Sequence, residues 1–366
     1  MQSSSEKDGL PIPVCRSVLG AEVDGTINLN LRRTSMKIIK PSYYDTFRCI
    51  AGECPDSCCH QWQVQVDEEA AAFYRGLEGP LGDALRGCMV DTESGTEMEN
   101  VNDRCPMWRA DGLCRIQAEL GEAALCHVCR EFPRLRQDYG DFVELGLEMS
   151  CPEAARIMLT CEDWHLTSEI LPGGEEPDYD PEIMDILRRT RGYALSLMGM
   201  TGYSVPERLV ILLMYGYHVQ GIIDGGEETP FDPEAALEEG KGFAGAGDFD
   251  GVLDFFQSLE VLTAEWKNLL ANPGEPGEWA EELCKLAAYG IYRYWFQAVS
   301  DWDLAARVKL VLLHAVTARY LGGGLRRIQL YSKEIENDID NVEAILDGAY
   351  IDPALTDANL LGLLMN

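Results

Sequence analysis

The chain has 366 residues, of which 46% are hydrophobic and 25% are charged, a globular composition with enough apolar mass for a sizeable core. At about 150 residues per domain, this length predicts two domains. Asp and Glu number 62 against 30 Lys and Arg, which gives a net charge of -32. This charge argues against nucleic acid and anionic membranes as partners, because both attract cations. A lysine-bearing protein is compatible with it.

The cysteines are the second compositional feature. Of 13 cysteines, all but Cys15, Cys161 and Cys284 lie between residues 49 and 151. Residues 1–35 contain no apolar signal-peptide core, and no apolar run is long enough to span a membrane. We therefore expect a cytoplasmic protein. In that reducing compartment, dense cysteines indicate metal or cluster binding rather than disulfides.

Four segments follow from patterns along the chain. Residues 1–35 have a serine run and no periodicity, which predicts a disordered extension. Residues 36–168 are predicted to be a cysteine-rich metal- or cluster-binding module, residues 169–182 an acidic linker, and residues 183–366 a helical domain. The fold class is therefore mainly α, with a loop-rich cysteine module packed on an all-helical domain.

Local signals predict elements within the module. Asp67 is a helix N-cap before EEAAAFYRGL, and residues 116–125 follow as a second helix. Residues 142–147 alternate weakly and predict a short strand. Pro152 is placed to start a further helix, because proline is favoured in the first helical turn.

The second half has apolar residues at spacings of three and four, the pattern of amphipathic helices. Predicted helices lie around residues 183–187, 206–223, 252–269, 291–299, 310–317 and 328–346. The run from Gly240 to Gly247 spells GxGxxG but lies between two helical segments, with no strand before it. We therefore predict a flexible loop there, and a methyl-donor site of the doubly wound type is not expected.

The cysteines between residues 49 and 151 recur in short groups, with proline or glycine beside several of them. Thiolates in such groups select zinc or an iron–sulfur cluster. The spacing fits neither a ferredoxin run nor a double zinc knuckle, so it leaves the metal open. We expect Cys88, Cys161 and Cys284 to be small core residues. The candidate metal ligands are Cys49, Cys54, Cys58, Cys59, Cys105, Cys114, Cys126, Cys129 and Cys151.

Adjacent cysteines and the residues beside them raise further candidates. Cys58 and Cys59 point in different directions, so one is expected to ligate while the other packs or serves a second centre. Two histidines are minor candidates as ligands, bases or hydrogen-bond donors to a ligand: His60 and His127. Nearby aromatic residues are expected to be local core, with a lysine channel as the lesser alternative: Tyr43, Tyr44, Trp62 and Trp108.

Charged residues also lie beside the cysteines. Arg130 and Arg134 are candidates for balancing the charge of a cluster or binding a carboxylate. Asp56 and Glu131 are candidate hydrogen-bond acceptors.

Longer motifs carry a family resemblance. CxxxCC from Cys54, CPMWRADGLC from Cys105 and CREFP from Cys129 resemble the CxxxCC zinc- or iron-chelating domain family. The strings KPSYYDTFRCIAGECPDSCCHQWQVQVD, LEMSCPEAARIML and WDLAARVKLVLLHAVTARYL resemble the flagellin lysine-N-methylase family, over about residues 36–346.

This resemblance implies methyl transfer from S-adenosylmethionine to lysine ε-amines of a flagellin-like protein. It also implies a [4Fe-4S] iron–sulfur cluster or zinc held by the cysteines. We hypothesise that such a centre, as a Lewis acid, binds the donor's amino and carboxylate groups. The resemblance assigns no catalytic or donor-binding residue. The alternatives are a non-catalytic zinc- or iron-chelating protein and a redox metalloprotein.

Overall fold

The computed structural model describes residues 35–61, 64–93 and 95–366. Helices make up most of the described residues, which confirms the prediction of a mainly α protein. The predicted extension lies outside the described residues apart from Ser35, and so does Trp62.

A four-stranded sheet lies beside the helical part of the protein. Its strand order is β5-β6-β1-β7, with β1 parallel to β6 and antiparallel to β7. The predicted strand at residues 142–147 is confirmed as β6. β7 continues to Pro172, so residues 169–172 are paired with β1 rather than forming the start of a linker. The strands are β1 Ser35–Pro41, β5 Arg134–Asp138, β6 Phe142–Leu147 and β7 Leu166–Pro172.

A smaller antiparallel sheet and short helices surround the cysteines. Its strands are β2 Val64–Val66, β3 Met89–Thr92 and β4 Gly95–Met98, with β4 in the middle. Asp67 caps the first helix by accepting a hydrogen bond from the Ala70 N–H, and Pro152 starts the fifth, as predicted. These helices are α1 Glu68–Gly76, α2 Gly79–Cys88, α3 Arg115–Leu120, α4 His127–Glu131 and α5 Pro152–Thr160.

The rest of the described chain is helical. Helices α7 and α11 pack against α13, which is buried along almost its whole length. The helices are α6 Pro181–Leu197, α7 Val205–Ile223, α8 Pro233–Lys241, α9 Phe249–Ser258, α10 Ala264–Ala271, α11 Glu281–Tyr294, α12 Ala298–Asp301, α13 Leu304–Tyr320, α14 Leu325–Tyr331, α15 Ile339–Ile351 and α16 Asp357–Leu364.

Several predicted helices are interrupted, and residues 252–269 give the clearest case. Between α9 and α10, the Glu260 N–H donates to Asn341 Oδ1 at 3.0 Å and the Leu262 N–H donates to Glu334 Oε2 at 2.8 Å. These distant side chains take the place of helical acceptors. The predicted helix at 328–346 is likewise broken by a π-helical turn, Ser332–Glu336, and the chain ends in α16 rather than in that helix. The helices predicted at 116–125 and 291–299 also end early, in short 3₁₀ turns.

Two hydrophobic cores meet at the cysteines. The larger one joins residues of the four-stranded sheet, such as Phe142, to the long helices and includes Cys151. The smaller one lies under the three-stranded sheet, around Tyr74 and Met98, and includes Cys126. The cysteine-rich residues therefore lie where the two cores adjoin.

The predicted loop at Gly240–Gly247 is confirmed, since α8 precedes it and α9 follows it. A Cβ on Gly247 would lie 2.5 Å from the backbone nitrogen of Leu363, so this glycine is explained by close packing on α16. Within the described ranges, every helix is too short or too polar to cross a bilayer.

Candidate functional site

The sulfur atoms of the nine candidate cysteines fall into two neighbouring groups. We call Cys49, Cys54, Cys58 and Cys151 the first sulfur group. Burial, with a contribution from the nearby Cys54 and Cys49, raises the pKa of Cys151 to about 11. Cys49 and Cys151 act in the same way on Cys58. Residues 49–59, which we call the first cysteine loop, and the start of α5 are far apart in the chain, and they bring these sulfurs together.

The second sulfur group consists of Cys59, Cys105, Cys114, Cys126 and Cys129. Burial, with a contribution from the nearby Cys59 and Cys114, raises the pKa of Cys105 to about 12. The backbone brings these loops together, because the Cys105 N–H donates to the Cys59 carbonyl at 2.9 Å. Burial raises the pKa of Cys114, and Cys59 and Cys126 add to this rise, so all three loops contribute to the group.

Two pairs of cysteines that are close in sequence form hydrogen bonds between their thiols. Cys58 donates to Cys59, which lowers the pKa of Cys59 to about 7 and raises that of Cys58. Cys129 donates to Cys126 in the same way and lowers the pKa of Cys126 to about 7. One thiol of each pair is therefore readily converted to the thiolate, the form that binds metals and acts as a nucleophile.

The two sulfur groups are not a ready-made coordination shell. In the parts of the chain that the structure describes, no three histidine, cysteine, aspartate or glutamate side chains are arranged to hold a metal ion. The three cysteines that were predicted to be core residues are buried or partly buried. Cys88 and Cys284 are buried, and Cys161 is partly buried against the larger core.

A cavity of about 230 Å³ opens beside both groups. Cys58 and Cys129 line it together with Glu148. Burial raises the pKa of Glu148, although Arg293 lies 3.5 Å from its carboxylate and opposes that shift. The remaining wall consists of Val64, Val128, Phe132 and Asn337. A small group bound here would meet two thiols and a buried carboxyl.

A larger cleft of about 810 Å³ shares Asn337 with this cavity. It runs between the three-stranded sheet and the π-helical turn. Lys333 is the single cation among the described lining residues, and its ammonium group lies 2.7 Å from Asp56. The carboxylates on the wall are Glu97, Glu99, Asp103, Glu260, Glu334 and Asp338. The cleft therefore suits a cationic ligand.

The first cysteine loop is held to the helices by a buried ionic contact at Asp56. Its carboxylate accepts hydrogen bonds from Lys333 at 2.7 Å, Arg326 at 2.7 Å and Gln329 at 3.0 Å, so the expected acceptor role is confirmed. Burial opposes ionisation, but these donors keep the pKa of Asp56 below its usual value. Gln329 also donates to the Ser150 carbonyl, next to Cys151. This network fixes both parts of the first sulfur group.

We expect Asp56→Asn to lower the free energy of unfolding by about 1.5–3 kcal/mol, the range for hydrogen bonds to charged groups. Lys333 is buried and would lose the anion that compensates its charge. Asp111→Asn is the matched control, because Asp111 forms an exposed pair with Arg109 and should contribute less than about 1 kcal/mol. Chemical denaturation of the three proteins measures the difference, and equal losses for both variants would contradict this role of Asp56.

The other residues flanking the cysteines have local roles. His60 packs on Trp108, which Arg104 covers from 3.9 Å. His127 is exposed, and its backbone N–H donates to Asp67. The remaining predicted candidates pack or pair nearby: Tyr43 is buried, Tyr44 partly buried, Arg130 pairs with Glu131, and Arg134 lies over Phe47.

Sequence reasoning missed the residues that the helices contribute to the site. The sequence pattern predicts an amphipathic helix that includes Lys333, Glu334 and Glu336. The structure instead buries all three side chains. Glu336 accepts hydrogen bonds from the hydroxyls of Tyr294 at 2.8 Å and Tyr289 at 3.2 Å. The available signal was the string SKEIE, in which charges interrupt an apolar face. A π-helical turn of this kind is frequent at functional sites.

Known proteins match part of the chain. It is 28% identical over 142 residues to a lysine-N-methylase of Salmonella choleraesuis, which is 36% of this chain and 35% of that protein. A lysine-N-methylase of Salmonella typhimurium is 26% identical over 139 residues, 36% of this chain and 35% of that protein. The flagellar biosynthetic protein FliU of Salmonella muenchen is 26% identical over 133 residues, 34% of this chain and 79% of that protein.

The match therefore spans about a third of each lysine-N-methylase. No family model and no solved structure matches the chain. The two methylase matches establish a relation at the level of the family, and the expected resemblance is confirmed to that extent. This chain is thus related to the lysine-N-methylase family.

Proposed function

We propose that this protein transfers methyl groups from S-adenosylmethionine to lysine ε-amines of a protein substrate, flagellin or a flagellin-like protein. The observation that carries the proposal is the acidic cleft, which shares the lining residue Asn337 with the cysteine-lined cavity. A lysine side chain is a long cation, and a cleft lined with carboxylates attracts it. The family relation supports the same chemistry.

The transfer itself has simple requirements. The ε-ammonium must lose a proton, after which the nitrogen lone pair attacks the methyl carbon and the carbon–sulfur bond of the donor breaks. Alignment of the amine with that carbon is the main contribution of the protein. In this proposal the cleft holds the lysine, and the donor is presented from the cavity of Cys58 and Cys129, which shares Asn337 with the cleft.

We also propose that the cysteines hold an iron–sulfur cluster or zinc. The donor set fits such a centre, because soft thiolates favour these metals and the sulfurs of each group lie close enough to perturb one another's pKa. The first sulfur group and the second sulfur group would supply the ligands. A bound centre would act as a Lewis acid toward the amino and carboxylate groups of the donor.

The test is a methylation assay with anaerobically purified protein. Labelled S-adenosylmethionine and unmodified flagellin should give methyl-lysine detectable by mass spectrometry. Flagellin with chemically acetylated lysines is the control and should gain no label. Absence of label on every lysine-bearing substrate, from protein that contains its metal, would reject the enzyme and favour a chelating or redox protein.

A further inference from the structure

The wall of the acidic cleft contains a buried carboxylate with one unused oxygen. Glu334 is only 1% exposed, and it lies in the π-helical turn. Its Oε2 accepts the Leu262 N–H at 2.8 Å, and Thr263 also donates to the carboxylate, so the side chain is held in place. Its Oε1 is buried and has no hydrogen-bond partner in the described residues. Leaving such an acceptor unsatisfied is costly, and structures normally avoid it.

The nearest cation does not fill this role. Lys333 is adjacent in the chain and also lines the cleft, but its ammonium donates to Asp56 at 2.7 Å and to Gln61 at 3.2 Å. It is thereby committed to the cysteine loop. The remaining charged groups on the wall are carboxylates, which repel an anion and cannot donate to Oε1 when ionised.

The backbone around Glu334 is fixed by further contacts. Asn341 donates to the Glu334 carbonyl at 2.9 Å and to the Glu260 carbonyl at 3.0 Å. Glu336, two residues on, is anchored by the hydroxyls of Tyr294 and Tyr289. Because the turn is held from both sides, the position of the carboxylate is preorganised, which lowers the cost of binding a ligand.

We propose that Glu334 is the residue that binds the ε-ammonium group of the substrate lysine, with Oε1 accepting its hydrogen bond. The inference rests on the proposed function for the choice of lysine as the ligand. A buried carboxylate binds an ammonium group more strongly than an exposed one, because the surrounding dielectric is low. Burial raises the pKa of Glu334, although hydrogen bonds from Thr263 and Leu262 and the charge of Lys333 oppose this shift. The exposed carboxylates of the rim would attract the basic segment around that lysine.

The experiment measures binding in the absence of S-adenosylmethionine. A short peptide with one lysine, and the same peptide with that lysine acetylated, are titrated into the native protein and into E334Q by calorimetry. Glutamine retains an acceptor for the Leu262 N–H but loses the charge. We expect E334Q to bind the lysine peptide about 10- to 100-fold more weakly, the effect of losing one charge-assisted hydrogen bond.

The control is Glu238→Gln, which removes the same charge from an exposed position on α8 and should leave the affinity unchanged. Native affinity in E334Q, or equal affinity of the native protein for both peptides, would overturn the inference. If E334Q fails to fold, the comparison of the two peptides on the native protein decides. Charge-dependent binding without methyl transfer would keep this inference and reject the proposed function. Methyl transfer by the native protein together with unchanged binding by E334Q would keep the proposed function and reject this inference.

Discussion

Arg191→Met is expected to lower the free energy of unfolding by about 3–5 kcal/mol, the cost of leaving a buried charge without its partner. Arg191 and Glu144 are 0% and 1% exposed, with 3.6 Å between Nη2 and Oε1. Glu144 lies on the central strand β6, and neither of its carboxylate oxygens accepts a hydrogen bond within the described chain. Arg191 also packs on the rings of Phe296 and Tyr292.

The same variant should show a distinctive pH dependence. Burial raises the pKa of Glu144 well above its usual range, even with Arg191 beside it. A carboxyl whose pKa is higher in the folded state destabilises the fold as the pH rises above its unfolded value. Removing Arg191 raises that pKa further, so the loss of stability should be larger at pH 8 than at pH 5.

The control for this prediction is the double variant Glu144→Leu with Arg191→Met. It replaces the ion pair by an apolar pair, a change that is often neutral or stabilising. Guanidinium denaturation of the native protein, R191M and the double variant measures all three stabilities. A loss below about 1 kcal/mol in R191M at pH 8 would mean that Glu144 is already neutral in the native protein.

Under the proposed function, Cys129→Ser is expected to remove most of the bound metal and to lower methyl transfer by about 10- to 100-fold or more. Cys129 pairs with Cys126 and lines the cavity with Cys58, so its loss affects the second sulfur group and the cavity together. Elemental analysis of anaerobically purified protein gives the metal content, and the labelled-donor assay gives the activity.

Cys284→Ala is the matched control, because Cys284 is buried in the helical core and belongs to neither sulfur group. It should keep the metal content of the native protein. Cys151→Ser then distinguishes one centre from two. A single shared centre would be lost in both Cys151→Ser and Cys129→Ser, whereas separate centres would each be lost in one variant only. Unchanged metal content in both serine variants would exclude Cys129 and Cys151 as ligands.

The sequence names candidate ligands but carries no information on how they are arranged. The spacing of the cysteines indicated which residues to consider, and the structure divides them into two groups joined at Cys58 and Cys59. That division depends on Cys151, which a separate β-sheet and helix bring to the first cysteine loop. No local sequence pattern shows which cysteines share a group, because the long segments between the motifs can fold back to the same place in many ways.

Elements whose stabilising contacts are local could be predicted from the amino-acid sequence alone. Asp67 bonds the N–H three residues on, and Pro152 stands in a first turn, so both helix starts could be read directly. The positions where the longer helices break depend on long-range contacts. Between α9 and α10, Glu334 and Asn341 accept the backbone N–H groups of Leu262 and Glu260 from more than seventy residues away. The tertiary structure also decided that Lys333 and Glu334 face the site, since the burial of a charge depends on partners that fold against it from distant parts of the chain.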